Sequence, residues 1–169
     1  MTRRDVARCI DAVCGLSLRQ QAVCVRLAAE MNLPKWQAWC KKRRIEDRSV
    51  QLLECFDRWL DGKATNKELN QIAEKFHAAL PEDIRAEIEP TGGYAGWAIR
   101  DIPMIALDQC EDVHTDIIHT AICYAAAANC GMGAEAVWVD LDRLTKAELQ
   151  FLSEWWGRCC KKFSQLAGV

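Results

Sequence analysis

The feature that most constrains this fold is a long, largely apolar stretch between Gly96 and Gly131. In its second half, apolar residues recur at helical spacing on two adjacent faces: Val113, Ile117, Ala121, Tyr124 and Ala128 on one, and Ile118, Ile122 and Ala125 on the other. A helix that is apolar over most of its circumference must be enclosed by other helices. We therefore expect two helices in this stretch to form the centre of a bundle.

The remaining sequence also carries helix signals. Ser17 and Ser49 are expected to begin helices, and Thr65 and Thr145 are each followed three residues later by a glutamate, the spacing of a capping box. No run of alternating β-branched residues is bounded by hairpin turns. The sequence therefore predicts an all-α, single-domain bundle over residues 1–169, with about nine helices built from helical hairpins and no sheet.

Prolines and glycines set the predicted helix boundaries. Pro34 is expected to be the first residue of a new helix that runs to Arg48, because it lacks the donor that would be unsatisfied there. Gly62 is expected to end a helix in the left-handed conformation. The acidic segment between Pro81 and Gly93 is predicted to make two helical turns and then a loop. Pro103 is expected to kink or restart the first central helix.

Charge divides the chain into two unequal parts. Residues 1–50 contain eleven Lys and Arg against five Asp and Glu, whereas residues 51–169 contain eleven against nineteen. The net charge of −2 therefore conceals a basic N-terminal part and an acidic body. This asymmetry fits either a charged partner or the packing of basic N-terminal helices on the acidic helices that follow.

The chain contains ten cysteines but no CxxC pair, and most of them fall within helical patterns. A buried thiol packs like a small hydrophobic residue, so we expect reduced cysteines in the interior. Cys159 and Cys160 are adjacent and point to different helix faces, so one of them is expected to be exposed and oxidisable.

The same sequence predicts a cytoplasmic location. No stretch approaches the roughly 20 uninterrupted apolar residues that a membrane span requires. The N-terminal segment is interrupted by charges at Asp5, Arg8 and Asp11, unlike a secretory signal. Free thiols also fit a reducing compartment.

One helical stripe carries candidate metal ligands. Asp112, Asp116, His119 and Cys123 are spaced by four, three and four residues, which aligns two carboxylates, an imidazole and a thiol. Bundles hold two-metal sites with such groups, but they draw them from several helices. The alternative is that this stripe is the helix's polar face, with His119 paired to Asp116.

Two arguments oppose a nucleophilic or phosphate-binding active site. Cys110 and His114 have helical i, i+4 spacing, but no third group is placed to orient the histidine. The pair Gly92 and Gly93 follows no predicted strand and lacks the lysine of a phosphate-binding loop. We expect no cofactor.

A basic block follows two tryptophans. Trp36 and Trp39 precede Lys41, Lys42, Arg43 and Arg44, and stacking rings next to cations are a combination that nucleic-acid binding uses. The alternative is that both tryptophans belong to the core-facing stripe of an amphipathic helix. The cations would then lie in its last turns, where they favour the carbonyl end of the helix dipole.

A family resemblance covers part of the chain. The segment RWLDGKATNKELNQIAEKFHAAL, followed by GWAIRDIPMIALD and HTDIIHTAICYAAAA, resembles the all-helical immunity proteins of bacterial polymorphic-toxin systems. The matching residues are Trp59, Leu60, Gly62, Leu69, Ala73 and the Ala-rich helix near His119 and Tyr124. The resemblance implies a bacterial protein that neutralises a toxin by binding it.

An acidic region could receive a basic toxin of this kind. Its candidate contact residues are Glu82, Asp83, Glu87, Glu89, Asp108, Glu111 and Asp112. Opposite charge on two partners accelerates their encounter. The leading interpretation is thus a non-enzymatic interaction protein. A metal-binding or hydrolytic enzyme using Asp112, Asp116 and His119, a nucleic-acid binder using Lys41–Arg44, and self-association stay open as alternatives.

Overall fold

The computed structural model of the chain describes residues 3–81, 92–100, 102–103, 125–126 and 145–167. These residues are helical apart from short connections, and they include no strand. The helices are α1 (Arg3–Cys14), α2 (Leu18–Arg43), α3 (Ser49–Leu60), α4 (Asn66–Ala79), α5 (Gly92–Arg100) and α6 (Lys146–Ala167). The all-α prediction is confirmed for this part of the chain, whereas a count of about nine helices is not supported.

Among the described helices, α2 is the one around which the others are arranged. It contacts α1, α3, α5 and α6, while α3 also packs on α4, and α1 on α6. Its buried residues include the small side chains of Ala22, Cys24, Ala28 and Ala29, which let neighbouring helices approach closely. The predicted central stretch is described only in part: Ala125 and Ala126 are helical and fully buried, as is Ile102.

The prediction that Pro34 begins a new helix is wrong, because α2 continues through it for 26 residues. The buried stripe of this helix includes Ala29 and Asn32 before the proline and Trp36 after it, so one continuous surface packs against the bundle. Pro34 itself is exposed, where water can hydrate the carbonyl group that its missing N–H leaves free. Tertiary packing thus outweighs a local cost of about 3 kcal/mol.

The end of α2 is tied to the start of α3 by Asp47. The predicted extension of the Pro34 helix to Arg48 is wrong, because Arg44 adopts a left-handed conformation with φ of 56° and ends the helix. Asp47 Oδ1 then accepts hydrogen bonds from Trp36 Nε1 (3.0 Å), Ser49 N (2.9 Å) and Ser49 Oγ (2.6 Å). One carboxylate oxygen therefore fixes the buried indole and the first residue of α3.

Both predicted capping boxes are present. The N–H of Glu68 donates to Thr65 Oγ1 at 3.2 Å while the Glu68 carboxylate accepts from the N–H of Thr65 at 2.8 Å. Thr145 and Glu148 form the same reciprocal pair ahead of α6. Gly62 has φ of +71°, which confirms the left-handed residue predicted after α3. The starts of α4 and α6 are therefore set by pairs of side chains three residues apart.

The close packing of α5 on α2 depends on a glycine. A Cβ atom added at Gly96 would lie 2.5 Å from the Trp36 ring, far inside van der Waals contact. Helix α5 begins at Gly92, whereas the sequence predicted that the loop would extend to Gly93. Packing of Ala95, Ala98 and Ile99 into the core stabilises this glycine-rich start.

The six cysteines whose side chains the structure describes are free thiols, as predicted. Cys24, Cys40, Cys55 and Cys159 are buried, and Cys9 is half-buried. Cys160 is exposed, which confirms that the adjacent pair at the C-terminal end divides between an inner and an outer face.

Candidate functional site

Two of the predicted sites lie outside the described residues. The metal-ligand stripe comprises Asp112, Asp116, His119 and Cys123. The acidic surface comprises Glu82, Asp83, Glu87, Glu89, Asp108, Glu111 and Asp112. Both stay predictions. Within the part of the chain that the structure describes, no group of three His, Cys, Asp or Glu side chains could hold a metal ion.

The basic block is described, and it lies at the C-terminal end of α2. Lys41, Lys42 and Arg43 form the last turn, and Arg44 is the left-handed residue whose N–H returns to the carbonyls of Cys40 and Lys41. All four basic side chains are exposed. They stabilise the carbonyl end of a long helix, and they also form a local positive surface.

The tryptophans next to this block are part of the core. Trp36 is 1 % exposed and Trp39 is 7 % exposed, and their rings stack on each other with centroids 5.2 Å apart. Phe76 of α4 contacts Trp36 from another side, and the Arg43 guanidinium lies 5.3 Å from the centroid of Trp39. Neither indole has a free face on which a nucleic-acid base could stack, so this surface offers charge alone.

A cleft of about 470 Å³ lies between α2, α3 and α6, and it was not predicted from the sequence. Its lining is balanced in charge around an aliphatic floor. The residues are Arg19, Val23, Arg26, Leu27 and Glu30 from α2, Leu60 and Asp57 from α3, Asp61 just after α3, and Lys162 from α6. We call this feature the α2–α3–α6 cleft.

Arg26 is held rigidly in one wall of the cleft. Its Nε and Nη2 donate to the two carboxylate oxygens of Asp57, both at 2.9 Å, and its Nη1 donates to Glu30 at 3.2 Å. Only 17 % of the Arg26 side chain is exposed, against 51 % for each carboxylate partner. Two parallel bonds to one carboxylate restrict the guanidinium plane more than a single bond would. The outer edges of both carboxylates remain accessible to a partner.

The other wall of the cleft contains a second cluster of charges. Asp61 Oδ2 accepts a hydrogen bond from Lys63 Nζ at 3.0 Å. This bond is the largest influence that lowers the pKa of Asp61, and the charges of Lys63, Arg19 and Lys162 lower it further. Asp61 is therefore surrounded by cations from α2 and α6, and Arg19 and Lys162 lie on the exposed rim.

The floor between these two clusters is apolar. Val23 is 8 % exposed, and Leu27 and Leu60 are partly buried side chains that pack against the core. An aliphatic floor within a rim of both charge signs is typical of surfaces that bind other proteins, where arginine is enriched. The groups that line the cleft can position and bind a partner through ion pairs and aliphatic contact.

Sequence alone offers one weak sign of this cleft. Arg26 is a single charge within the most buried part of α2, between Ala22 and Ala29, and such a residue needs a partner. Its partner Asp57 is 31 residues away, so helical periodicity could not identify it.

No helix among the described residues combines the length and hydropathy needed to cross a bilayer. No protein-family model, curated protein or solved structure matches this chain.

Proposed function

We propose that this chain is a non-enzymatic interaction protein that binds another protein at the α2–α3–α6 cleft. The observation that carries the proposal is the placement of Arg26, which Asp57 and Glu30 hold beside an aliphatic floor before any partner arrives. A preordered arginine loses little side-chain entropy on binding, which makes it an efficient contact residue.

The partner that we propose is a bacterial toxin, and the protein is its immunity protein. The support for this version is the resemblance of the segment around Trp59, Leu60 and Gly62 to all-helical immunity proteins. A basic toxin would engage the acidic residues Glu82–Asp112 as well as the cleft. An immunity protein acts by occupying the toxin's surface, so its own contact residues need only recognition chemistry.

The first experiment tests the toxin version. The product of the gene adjacent to that of this protein is expressed in a bacterial host, alone and together with this protein. We expect growth arrest without the protein and growth in its presence. An adjacent gene product that is harmless, or that remains toxic despite soluble expression of this protein, would contradict the immunity function.

The second experiment tests the cleft. Titration calorimetry of the purified pair compares the wild type with Glu30→Gln/Asp61→Asn, which neutralises two acidic residues of the cleft lining. The matched control is Glu54→Gln/Glu74→Gln, which removes the same charge from exposed positions of α3 and α4. We expect at least about a tenfold loss of affinity for the cleft variant and wild-type affinity for the control. Equal affinities for the two variants would show that binding occurs elsewhere.

A further inference from the structure

The basic block and the α2–α3–α6 cleft are joined along one side of α2. Residues three or four positions apart share a side of a helix, and Glu30 of the cleft is followed at this spacing by Pro34, Gln37 and Lys41, with Arg44 at the helix end. All five residues are exposed. We call this row the exposed α2 stripe.

Three cations at the far end of the stripe have no acidic partner among the described residues. Lys41, Lys42 and Arg44 form no ion pair there. Cations in a last turn stabilise the carbonyl end of a helix, but these side chains remain in water. They are therefore available to an anionic group outside the molecule.

The acidic residues that follow the basic block do not neutralise it. Glu46 is paired with Arg48 at 2.8 Å. Asp47 Oδ1 accepts hydrogen bonds from Trp36 and Ser49, so this carboxylate is directed at the buried indole and the start of α3. The outer end of α2 thus keeps its positive charge.

Arg44 holds a cation at a position where the backbone favours glycine. Its φ of 56° lies in the left-handed region, and among the described residues other than glycine it alone has positive φ. Glycine adopts this conformation without the steric cost that a Cβ atom causes. The chain nevertheless has an arginine there, which adds its charge to that of Lys41.

The near end of the stripe disfavours a uniformly charged polyanion. Glu30 precedes Arg44 by about 21 Å along the helix. Glu30 and Asp57 both bind Arg26, and each of these carboxylates is 51 % exposed in the cleft. A nucleic acid along the stripe would bring its phosphates against both carboxylates. A protein surface can change sign over this distance, so a protein fits the stripe better.

We propose that the exposed α2 stripe extends the docking surface of the cleft, and that the partner protein places an acidic segment on the basic block. This inference rests on the proposed function, because the same partner reaches both ends of the stripe. Between the ends, Pro34, Gln37 and Ala38 are uncharged and exposed, so the partner can pass over them without an unpaired charge. An acidic segment on a partner that is basic elsewhere would fix the orientation of the partner along α2.

The test measures binding of the purified product of the adjacent gene by surface plasmon resonance. Lys41→Glu/Arg44→Glu reverses the two charges of the stripe, and Lys41→Arg/Arg44→Lys retains them. The matched control is Lys67→Glu/Lys75→Glu, which makes the same charge change at exposed positions of α4, a helix that lines neither the cleft nor the stripe. Circular dichroism verifies that each variant is folded.

We expect the dissociation constant of the reversal variant to rise at least about tenfold, mainly through slower association. The charge-retaining variant and the control should bind like the wild type. Equal losses for the reversal and the charge-retaining variant would show that charge is not the determinant, and would overturn the proposal.

Two further outcomes separate this inference from the proposed function. Wild-type affinity of the reversal variant, together with weaker binding by Glu30→Gln/Asp61→Asn, would overturn the extended surface and leave the cleft as the binding site. A product of the adjacent gene that does not bind the wild type would overturn both.

A short fluorescein-labelled duplex DNA tests the competing occupant of the basic block. We expect fluorescence anisotropy to detect no saturable binding at physiological salt by the wild type or any variant. Saturable binding that only the reversal variant loses would assign the basic block to nucleic acid and overturn the proposal.

Discussion

Gly96 of α5 lies directly against the indole of Trp36 of α2, where a Cβ atom would approach the ring to 2.5 Å. The ring cannot move aside easily, because Asp47 holds its Nε1 at 3.0 Å and it stacks on Trp39. The closest contact between the two helices therefore depends on the absence of a side chain at position 96.

Gly96→Ala should destabilise the protein, because the added methyl group forces α5 away from α2 or Trp36 out of its position. We expect the free energy of unfolding to fall by about 1–3 kcal/mol. Urea denaturation monitored by tryptophan fluorescence measures the change. Gly157→Ala is the matched control, since nothing lies within 4 Å of its added Cβ in α6. The free energy of unfolding of Gly157→Ala should rise by up to about 1 kcal/mol, because alanine has the higher helix propensity. Equal changes for the two variants would contradict the packing argument.

The Arg26–Asp57 pair should contribute measurably to stability. A double-mutant cycle with Arg26→Ala and Asp57→Ala should give a coupling energy of about 0.5–1 kcal/mol, because two parallel bonds join the side chains and Arg26 is mostly buried. The same cycle for Lys63 and Asp61 serves as comparison, and their largely exposed side chains should couple more weakly. Coupling should decrease with added salt. A larger coupling for Lys63 and Asp61 would contradict this assignment.

The capping box of α4 should make stability depend on pH. Hydrogen bonds from the backbone N–H and the hydroxyl of Thr65 lower the pKa of Glu68. A carboxyl whose pKa is lowered by folding stabilises the protein fully above its unfolded pKa, near 4.3, and this contribution is lost as pH falls through the lowered value. We therefore expect the urea midpoint of wild type to exceed that of Glu68→Gln at neutral pH, and the difference to shrink in acid. Glu74→Gln, on the same helix, is the control. A difference independent of pH would exclude the charged cap as its cause.

Cys40 should resist alkylation in the folded protein. Burial, together with the nearby charge of Asp47, raises the pKa of its thiol to about 12. At about pH 9, iodoacetamide should modify the exposed Cys160 while Cys40 stays unmodified, and both should react in guanidinium. Folding raises the pKa of the Cys40 thiol, so the protonated thiol contributes fully to the free energy of unfolding below its unfolded pKa of about 8.5. This contribution falls as the pH rises above that value. Peptide mass mapping measures the modification, and rapid reaction of Cys40 without denaturant would refute the prediction.

The features predicted successfully from sequence are those encoded by residues close together in the chain. The boxes at Thr65 and Thr145 need only a glutamate three residues later, and Gly62 needs only its own freedom to adopt positive φ. The core role of Trp36 and Trp39 also follows from their spacing, and both are buried as the amphipathic alternative required.

The failures arise where distant segments decide the outcome. The local rule for proline predicted a helix start at Pro34. The buried face from Ala29 to Trp36 instead keeps α2 continuous through the proline. The α2–α3–α6 cleft could not be predicted, because it exists only where Arg26 meets Asp57 and where α6 brings Lys162 beside α2. Periodicity gives the buried face of each helix without saying which neighbour covers it.

The uninterrupted length of α2 also sets a minimum size for anything that engages both of its charged regions. At 1.5 Å per residue, the helix spans about 39 Å, and about 24 Å separates the level of Arg26 from that of Lys42. A metabolite or a nucleotide is too short to bridge that distance. A molecule that contacts the cleft and the basic block together must therefore be a macromolecule. Its binding surface must present groups that match mixed charges at one end and positive charges at the other.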